Sequence, residues 1–134
     1  MVVQKRVSLR LFLDDKTVKS APPSTVVDTQ VVSPHFCDFY LVPCEAPSNA
    51  GVASPTRYIV VWDECKMTTD ELQAITQQMC YLYFNWSGPV RVPAPCFYAH
   101  KIAFLYGKSV FISPDDNDVV KTVPDELAAR LHFI

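Results

Sequence analysis

A histidine and a lysine stand side by side in this sequence, His100 and Lys101, within a segment rich in aromatic residues. An imidazole can hold a metal ion or carry a proton near neutral pH, whereas a lysine can face a phosphate. The plainer interpretation is that His100 is only a packed histidine on a helix. Residues 85–110 contain three cations and no Asp or Glu. This stretch is therefore a candidate both for chemistry and for anion binding.

A second basic segment opens the chain. Residues 1–20 carry five Lys or Arg against two Asp, a net charge of +3, while residues 111–134 carry two cations against five acids, a net charge of −3. The formal net charge of the 134-residue chain is −2, which is unusual for a protein that binds RNA through its phosphates. Two basic segments offset by an acidic one permit a local phosphate-binding face.

The elements that position these residues divide along the chain. Partial alternation over residues 1–13 predicts a strand, and β-branched or aromatic runs predict strands over residues 25–32, 36–42 and 56–62. The strands over 25–32 and 36–42 could pair as neighbours. The compact apolar run YIVVW predicts that the last of these strands is central in the sheet.

Helices are predicted in the second half. Thr68 and Glu71 fit a capping box before an apolar face at Leu72, Ile75, Met79 and Leu82. A second helix is predicted over residues 94–106, with Pro95 near its start and Gly107 just past its end. The sequence then suggests a short strand or extended arm over 108–113, a turn at 114–117 and a short helix over 124–131.

Composition excludes several classes of protein. A hydrophobic fraction of 49% with 12% aromatic residues is ample for a packed core and argues against disorder. Strands in the first half of the chain and helices in the second predict an α/β fold. We find no secretory signal and no apolar run long enough to span a membrane. The five cysteines lack C-x-x-C spacing, which favours reduced thiols over a disulfide or zinc site. Reduced thiols predict a protein of the cytoplasm, or also of the nucleus.

Five segments, in order, resemble the C-terminal part of the PIWI domain of Argonaute proteins. They are VVQKRVSLRLF, TVVDTQVVSPHFCDFYL, SPTRYIVVWDE, MTTDELQAITQQMCYLY and PAPCFYAHKIAF, and together they cover about residues 2–106. The resemblance implies a ribonuclease H-like fold, with a mixed sheet packed by helices. It implies one partial PIWI domain over residues 1–134: strand-rich over 1–63, helical over 68–106, and ending in an arm and short helix over 107–134.

The same resemblance bears on catalysis. Slicing Argonautes use two metal ions held by three acids, usually with a histidine, and His100 matches that histidine. The three acids belong upstream of the VVQKR strand, where this chain has no counterpart. Asp28, Asp38 and Asp63 match family positions without a catalytic role. We therefore expect no metal site and no cofactor. Mg²⁺ or Mn²⁺ would be relevant only if the missing acids were supplied, and His100 would be vestigial.

For RNA, the resemblance implies that cations grip the guide backbone and that aromatic rings pack nearby. The candidates are Lys5, Arg6, Arg10, Tyr83, Arg91, Phe97, Lys101 and the terminal Ile134. Three family arginines are replaced, by Ser54, Asn85 and Leu105, and Arg91 and Lys101 are extra cations that could compensate. Each exposed Lys or Arg has the alternative of being only a solvated surface charge.

Three functional hypotheses follow. The first is an RNA-binding protein of small-RNA-guided silencing without slicer activity, with guide or single-stranded RNA and silencing-complex proteins as partners. The second is a stand-alone protein-interaction module derived from a PIWI domain. The third is a non-functional truncated product. The basic segments favour the first hypothesis, and the replaced arginines favour the second.

Overall fold

The structure is a computed structural model, and it describes residues 1–14, 16, 18–46 and 51–109. The chain divides into two compact units, Met1–Ala94 and Pro95–Ile134. The elements are β1 (Val2–Gln4), β2 (Thr25–Val27), β3 (Cys37–Val42), β4 (Thr56–Val60), α1 (Thr69–Met79) and α2 (Ala94–Ser109).

The four strands form one sheet in the order β1-β4-β3-β2, and each pair is antiparallel. The predicted α/β class is confirmed, and so is the pairing of β2 with β3. The strand over β4 is central, as predicted, but it ends at Val60 rather than Trp62. Val61 and Trp62 are exposed, which is consistent with their lying beyond the last paired residue.

Each face of the sheet carries its own apolar cluster. On one face Phe39, Leu41 and Tyr58 are almost fully buried, and the rings of Phe39 and Tyr58 stack with centroids 5.2 Å apart. They meet because Phe39 and Tyr58 are directly opposite in the β3–β4 register. A second cluster gathers Ala21, Val42 and Ala53, with Leu11 packed against it. The loops flanking the sheet are thereby fixed to it.

Two predicted strands are shorter than the sequence suggested. The strand predicted over residues 1–13 ends at Gln4, and the chain then forms a separate bridge between Phe12 and Ser20. The strand predicted over 25–32 ends at Val27. Val31 has a φ of +57°, in the left-handed region that a β-branched residue rarely adopts, so extended pairing cannot continue through it.

Helix α1 confirms the capping box. The Thr68 hydroxyl accepts a hydrogen bond from the Glu71 N–H at 3.3 Å, and the Thr68 N–H donates to Glu71 Oε2 at 2.8 Å. The predicted apolar face is wrong in part. Thr76 is the buried residue of the helix, and its hydroxyl is satisfied by donating to the Leu72 carbonyl at 2.6 Å. Leu82 lies beyond the helix and is exposed.

Helix α2 runs farther than predicted. It begins at Ala94 but continues to Ser109, so Gly107 lies inside the helix instead of ending it. One glycine in a helix costs only about 1 kcal/mol relative to alanine, which a long helix tolerates. The predictions for 114–117, 124–131 and most of 108–113 lie outside the described residues. Among the described residues, none of the helices is long and apolar enough to cross a bilayer.

Candidate nucleic-acid interface

Two predicted cations, Arg10 and Arg91, line the same surface cavity of about 220 Å³. They are 81 positions apart in the chain, and both belong to the first compact unit. Cys44, Glu45 and Ser54 also line the cavity. Two guanidinium groups at one cavity create a local positive potential, which Glu45 offsets only in part.

Arg10 is held in place by its own loop. Its Nη1 atom donates to the carbonyl oxygens of Leu9 at 2.9 Å and Val7 at 3.1 Å, and to the Ser54 hydroxyl at 3.3 Å. The guanidinium carries other N–H donors beyond this atom. Arg10 is therefore anchored at the cavity while donors remain for an anion.

Arg91 is anchored through its backbone. Its carbonyl oxygen accepts a hydrogen bond from the Thr56 hydroxyl at 3.0 Å, and Thr56 is fully buried in β4. Just before it, the Val90 N–H donates to the Cys80 carbonyl at 2.9 Å. These bonds fix residues 90 and 91 beside the sheet, and the Arg91 side chain is exposed.

Arg91 also acts on the thiol of Cys44. Burial raises the pKa of Cys44, and the nearby positive charge of Arg91 lowers it by a smaller amount, so the net shift is upward. The thiol stays protonated at neutral pH and adds no negative charge to the cavity. An anion would face the two arginines without competition from a thiolate.

Arg6 lines a second cavity, of about 390 Å³, rather than the one that holds Arg10. Gln4, Ser8, Tyr40 and Arg57 also line this second cavity. Lys5 lies between the two cavity-lining residues Gln4 and Arg6 and is half-buried. Of the four predicted cations of the first unit, Arg10 and Arg91 therefore line one cavity and Arg6 lines another, while Lys5 lines neither of these two.

Arg57 was not among the residues singled out from the sequence. Its Nε donates to Asp38 Oδ2 at 2.8 Å, its Nη2 pairs with the same oxygen, and its guanidinium lies over the Tyr40 ring, 5.7 Å from the centroid. The hydrogen bond to Asp38 raises the pKa of Arg57, so it remains charged. The signal was an Asp and an Arg in otherwise apolar strands, but only the β3–β4 register shows that they meet.

The remaining residues predicted to contact RNA are not among those that line these two cavities. Tyr83 is buried, with 9% of its surface exposed, and its ring is part of the interior. Phe97, His100 and Lys101 lie on α2 in the second unit, where Phe97 and Lys101 are half-buried and His100 is exposed. Ile134 lies outside the described residues.

The three local acids are already engaged. Asp28 accepts a hydrogen bond from Gln73 Nε2 at 2.8 Å, Asp38 binds Arg57, and Asp63 accepts from the N–H of Cys65 at 3.0 Å. Within the part of the chain that the structure describes, no group of three or more His, Cys, Asp or Glu residues could hold a metal ion.

Known proteins resemble this chain. Residues 1–110 match the Piwi domain family. The sequence is 47% identical over 116 residues to Piwi-like protein 1 of Gallus gallus. The alignment covers 86% of this chain and 13% of that protein. It aligns with the crystal structure of Drosophila Piwi at a TM-score of 0.60 and 42% identity, covering 66% of this chain and 12% of that one.

A third similar structure contains a guide RNA. The crystal structure of Kluyveromyces polysporus Argonaute with a guide RNA aligns at a TM-score of 0.55 and 32% identity, covering 61% of this chain and 9% of that chain. This chain thus spans only about an eighth or less of the length of these three proteins.

Proposed function

Because this chain belongs to the Piwi domain family of Argonaute proteins, we propose that it binds the sugar-phosphate backbone of a small guide RNA or other single-stranded RNA. The proposal rests on the observation that Arg10 and Arg91 line the same cavity. The biological setting would be small-RNA-guided gene silencing, in the cytoplasm or the nucleus, with silencing-complex proteins as further partners.

The chemistry of the cavity suits a phosphodiester. Guanidinium groups form charge-assisted hydrogen bonds to phosphate oxygens, often in pairs. Such contacts fix the position of the nucleic acid but carry no sequence information. The protein would therefore bind RNA without reading its bases at this point.

The cavity bears on a cation that the family pattern has and this chain lacks. The resemblance to Argonaute PIWI domains implies an arginine where Ser54 stands here. Ser54 lines the same cavity as Arg91, so a charge absent from position 54 is available from position 91. This supports the expectation that Arg91 compensates, and it favours the RNA-binding hypothesis over the protein-interaction module that the replaced arginines alone would favour.

Target cleavage is not part of the proposed function. The acids that a two-metal nuclease site needs have no counterpart in the matched segments, and Asp28, Asp38 and Asp63 serve structural hydrogen bonds. His100, exposed on α2, would then be a remnant of a catalytic position rather than a working ligand.

The test is a fluorescence-anisotropy titration of a single-stranded RNA at several salt concentrations. Each phosphate contact contributes about −0.7 to the log–log slope, so three to five contacts give a slope of about −2 to −3.5. We expect no dependence on sequence and little preference for a 5′-phosphate over a 5′-hydroxyl end, since Leu105 replaces a cation associated with that phosphate. A flat salt response, or no binding at low salt, contradicts the proposal.

A second candidate function rests on a different surface. After α1, the side chains of Tyr81, Phe84 and Trp86 are all more than half exposed. Exposed aromatic residues close together in sequence are typical of protein-binding surfaces. Failure of RNA binding would favour a protein-interaction module that uses this segment.

A further inference from the structure

We infer that Arg57, presented by Asp38 and Tyr40, is a second contact for the RNA backbone, at a cavity distinct from that of Arg10 and Arg91. The inference rests on the proposed function and extends it to a residue that the sequence did not suggest. The geometry that supports it lies wholly within the first compact unit.

The register of the sheet builds the cavity floor. Arg57 of β4 is directly opposite Gln4 of β1 on one side and Tyr40 of β3 on the other. Residues opposite each other in adjacent strands project from the same face of a sheet. Gln4, Arg57 and Tyr40 therefore form one row across three strands, and all three line the cavity.

The Arg57 guanidinium is oriented from two sides. Its Nε and Nη2 atoms both face one oxygen of Asp38, and the other oxygen, Oδ1, accepts the Ser33 N–H at 2.9 Å. The Asp38 side chain has no exposed surface, while 26% of the Arg57 side chain is exposed. Because the fork with Asp38 uses Nε and Nη2, the Nη1 donors lie outside it and are available to a ligand.

The lining of the cavity favours an anion. Arg6 and Arg57 contribute two cations, Gln4 an amide and Ser8 a hydroxyl. Among the described residues that line this cavity, none is acidic, in contrast to the Arg10–Arg91 cavity with its Glu45. Asp38 offsets part of the positive charge of Arg57. Its carboxylate has no exposed surface, so it does not repel a phosphate by direct contact.

The lining of the cavity does not favour stacking of a base on an aromatic ring. Such stacking would need an open ring. Tyr40 is the aromatic residue lining this cavity; it is buried, and Arg57 lies over its ring. The segment from Arg6 to Leu9 lines this cavity, and the next residue, Arg10, lines the other. One RNA strand crossing this segment would meet both pairs of cations through its phosphates.

The decisive variant is Asp38→Asn combined with Arg57→Gln. It removes one negative and one positive charge, so the net charge of the protein does not change and long-range attraction of RNA is preserved. We expect a salt slope less negative by about 0.7 and, for a partly exposed charge pair, a Kd raised up to about fivefold. The matched control is Glu64→Gln with Lys66→Gln, an exposed pair outside both cavities, which should bind like the wild type.

A parallel variant separates the two proposals. Arg10→Gln with Arg91→Gln should flatten the slope if the proposed function holds. An unchanged slope and Kd in the Asp38/Arg57 variant, beside a flattened slope in the Arg10/Arg91 variant, would overturn the inference and leave the proposed function standing. Absence of RNA binding by the wild-type chain would overturn both.

Folding is checked by thermal melting, because the ion pair is partly buried. If the double variant does not fold, Arg57→Lys takes its place. A lysine keeps the positive charge that pairs with Asp38. Its single ammonium group lacks the planar fork of arginine, so once paired with Asp38 it has no second set of donors for a phosphate. We expect the same loss of affinity and of slope, and wild-type binding by Arg57→Lys would contradict the inference.

Discussion

The Ser54 hydroxyl accepts a hydrogen bond from Arg10 Nη1 at 3.3 Å, across 44 positions of sequence. Ser54 belongs to the loop before β4, and Arg10 belongs to the loop after β1, two strands that are neighbours in the sheet. Ser54 stands where the family pattern has an arginine, whereas Arg10 matches an arginine of that pattern. Arg91 lies at the same cavity, so the three positions have to be analysed together.

Removing the cavity cations should weaken RNA binding in proportion to the number of phosphate groups that are no longer bound. For Arg91→Gln and for Arg10→Gln we expect the anisotropy slope to become less negative by about 0.7 each, because each variant removes one cation that faces a phosphate. Lys66→Gln, which removes an equal charge at an exposed position outside the cavity, is the control. Equal effects from Lys66→Gln and Arg91→Gln would show that only net charge matters.

The chain should not cleave a target strand. With Mg²⁺ or Mn²⁺ and a guide–target duplex, gel electrophoresis of labelled target should show no specific product, because Asp28, Asp38 and Asp63 are committed to hydrogen bonds within the fold. His100→Ala serves as the control. Cleavage by the wild type that disappears in this variant would prove the prediction wrong.

The capping box of α1 should make a measurable contribution to stability. Thr68→Ala removes the side-chain acceptor for the Glu71 N–H and is expected to lower the free energy of unfolding by about 1 kcal/mol. Thr69→Ala, at the first helical position beside it, should have little effect and is the matched control. Urea unfolding of both variants measures the difference, and equal losses would contradict a specific role of the cap.

The same cap predicts a pH dependence. Hydrogen bonds from the Thr68 backbone N–H and hydroxyl lower the pKa of Glu71 below its ordinary value of 4.5. A carboxyl whose pKa is lower in the folded state stabilises the protein above its unfolded pKa, and the benefit is lost as the pH falls through the folded pKa. Stability should therefore decline below about pH 4.5, and Thr68→Ala should reduce the part of that decline due to Glu71. An identical pH profile in the variant would contradict this assignment.

Strand β1 is an edge of the described sheet, and Met1 and Val2 are each nearly half exposed. Unprotected edges invite pairing with other chains, so we expect concentration-dependent association in sedimentation velocity. Val2→Lys should shift the distribution toward monomer, since a charge on an edge strand opposes pairing. Val18→Lys, at an exposed position outside the strands, should not. A sharp monomer at all concentrations would count against this prediction.

The sequence predicted those elements whose signals are local. The apolar run of β4 and the Thr68–Glu71 pair determine structure through neighbouring residues, and both predictions are confirmed. The strand predicted to run to residue 32 could not have done so because Val31 is left-handed, and its residue type gives no sign of that conformation. The end of α2 was missed because a glycine stops a helix only where the surrounding chain also favours stopping.

The candidate site was predicted residue by residue but not as an arrangement. Charge and family pattern singled out Arg6, Arg10 and Arg91, yet only strand register and loop packing determine which cavity each one lines. Arg57 was missed for the same reason. Its importance comes from lying opposite Tyr40 and beside Asp38, and no spacing within one segment reveals a relationship across strands.

The three hydrogen bonds that hold Arg10 have a thermodynamic consequence for any ligand. A free arginine side chain loses up to about 2 kcal/mol of rotamer entropy when it is immobilised. Much of the Arg10 side chain is already immobilised by the Val7 and Leu9 carbonyls and by Ser54 in the folded protein. That loss occurs during folding rather than at the moment of association. An anion that reaches Arg10 meets a preorganised donor, and the enthalpy of the new contact is retained more fully as affinity.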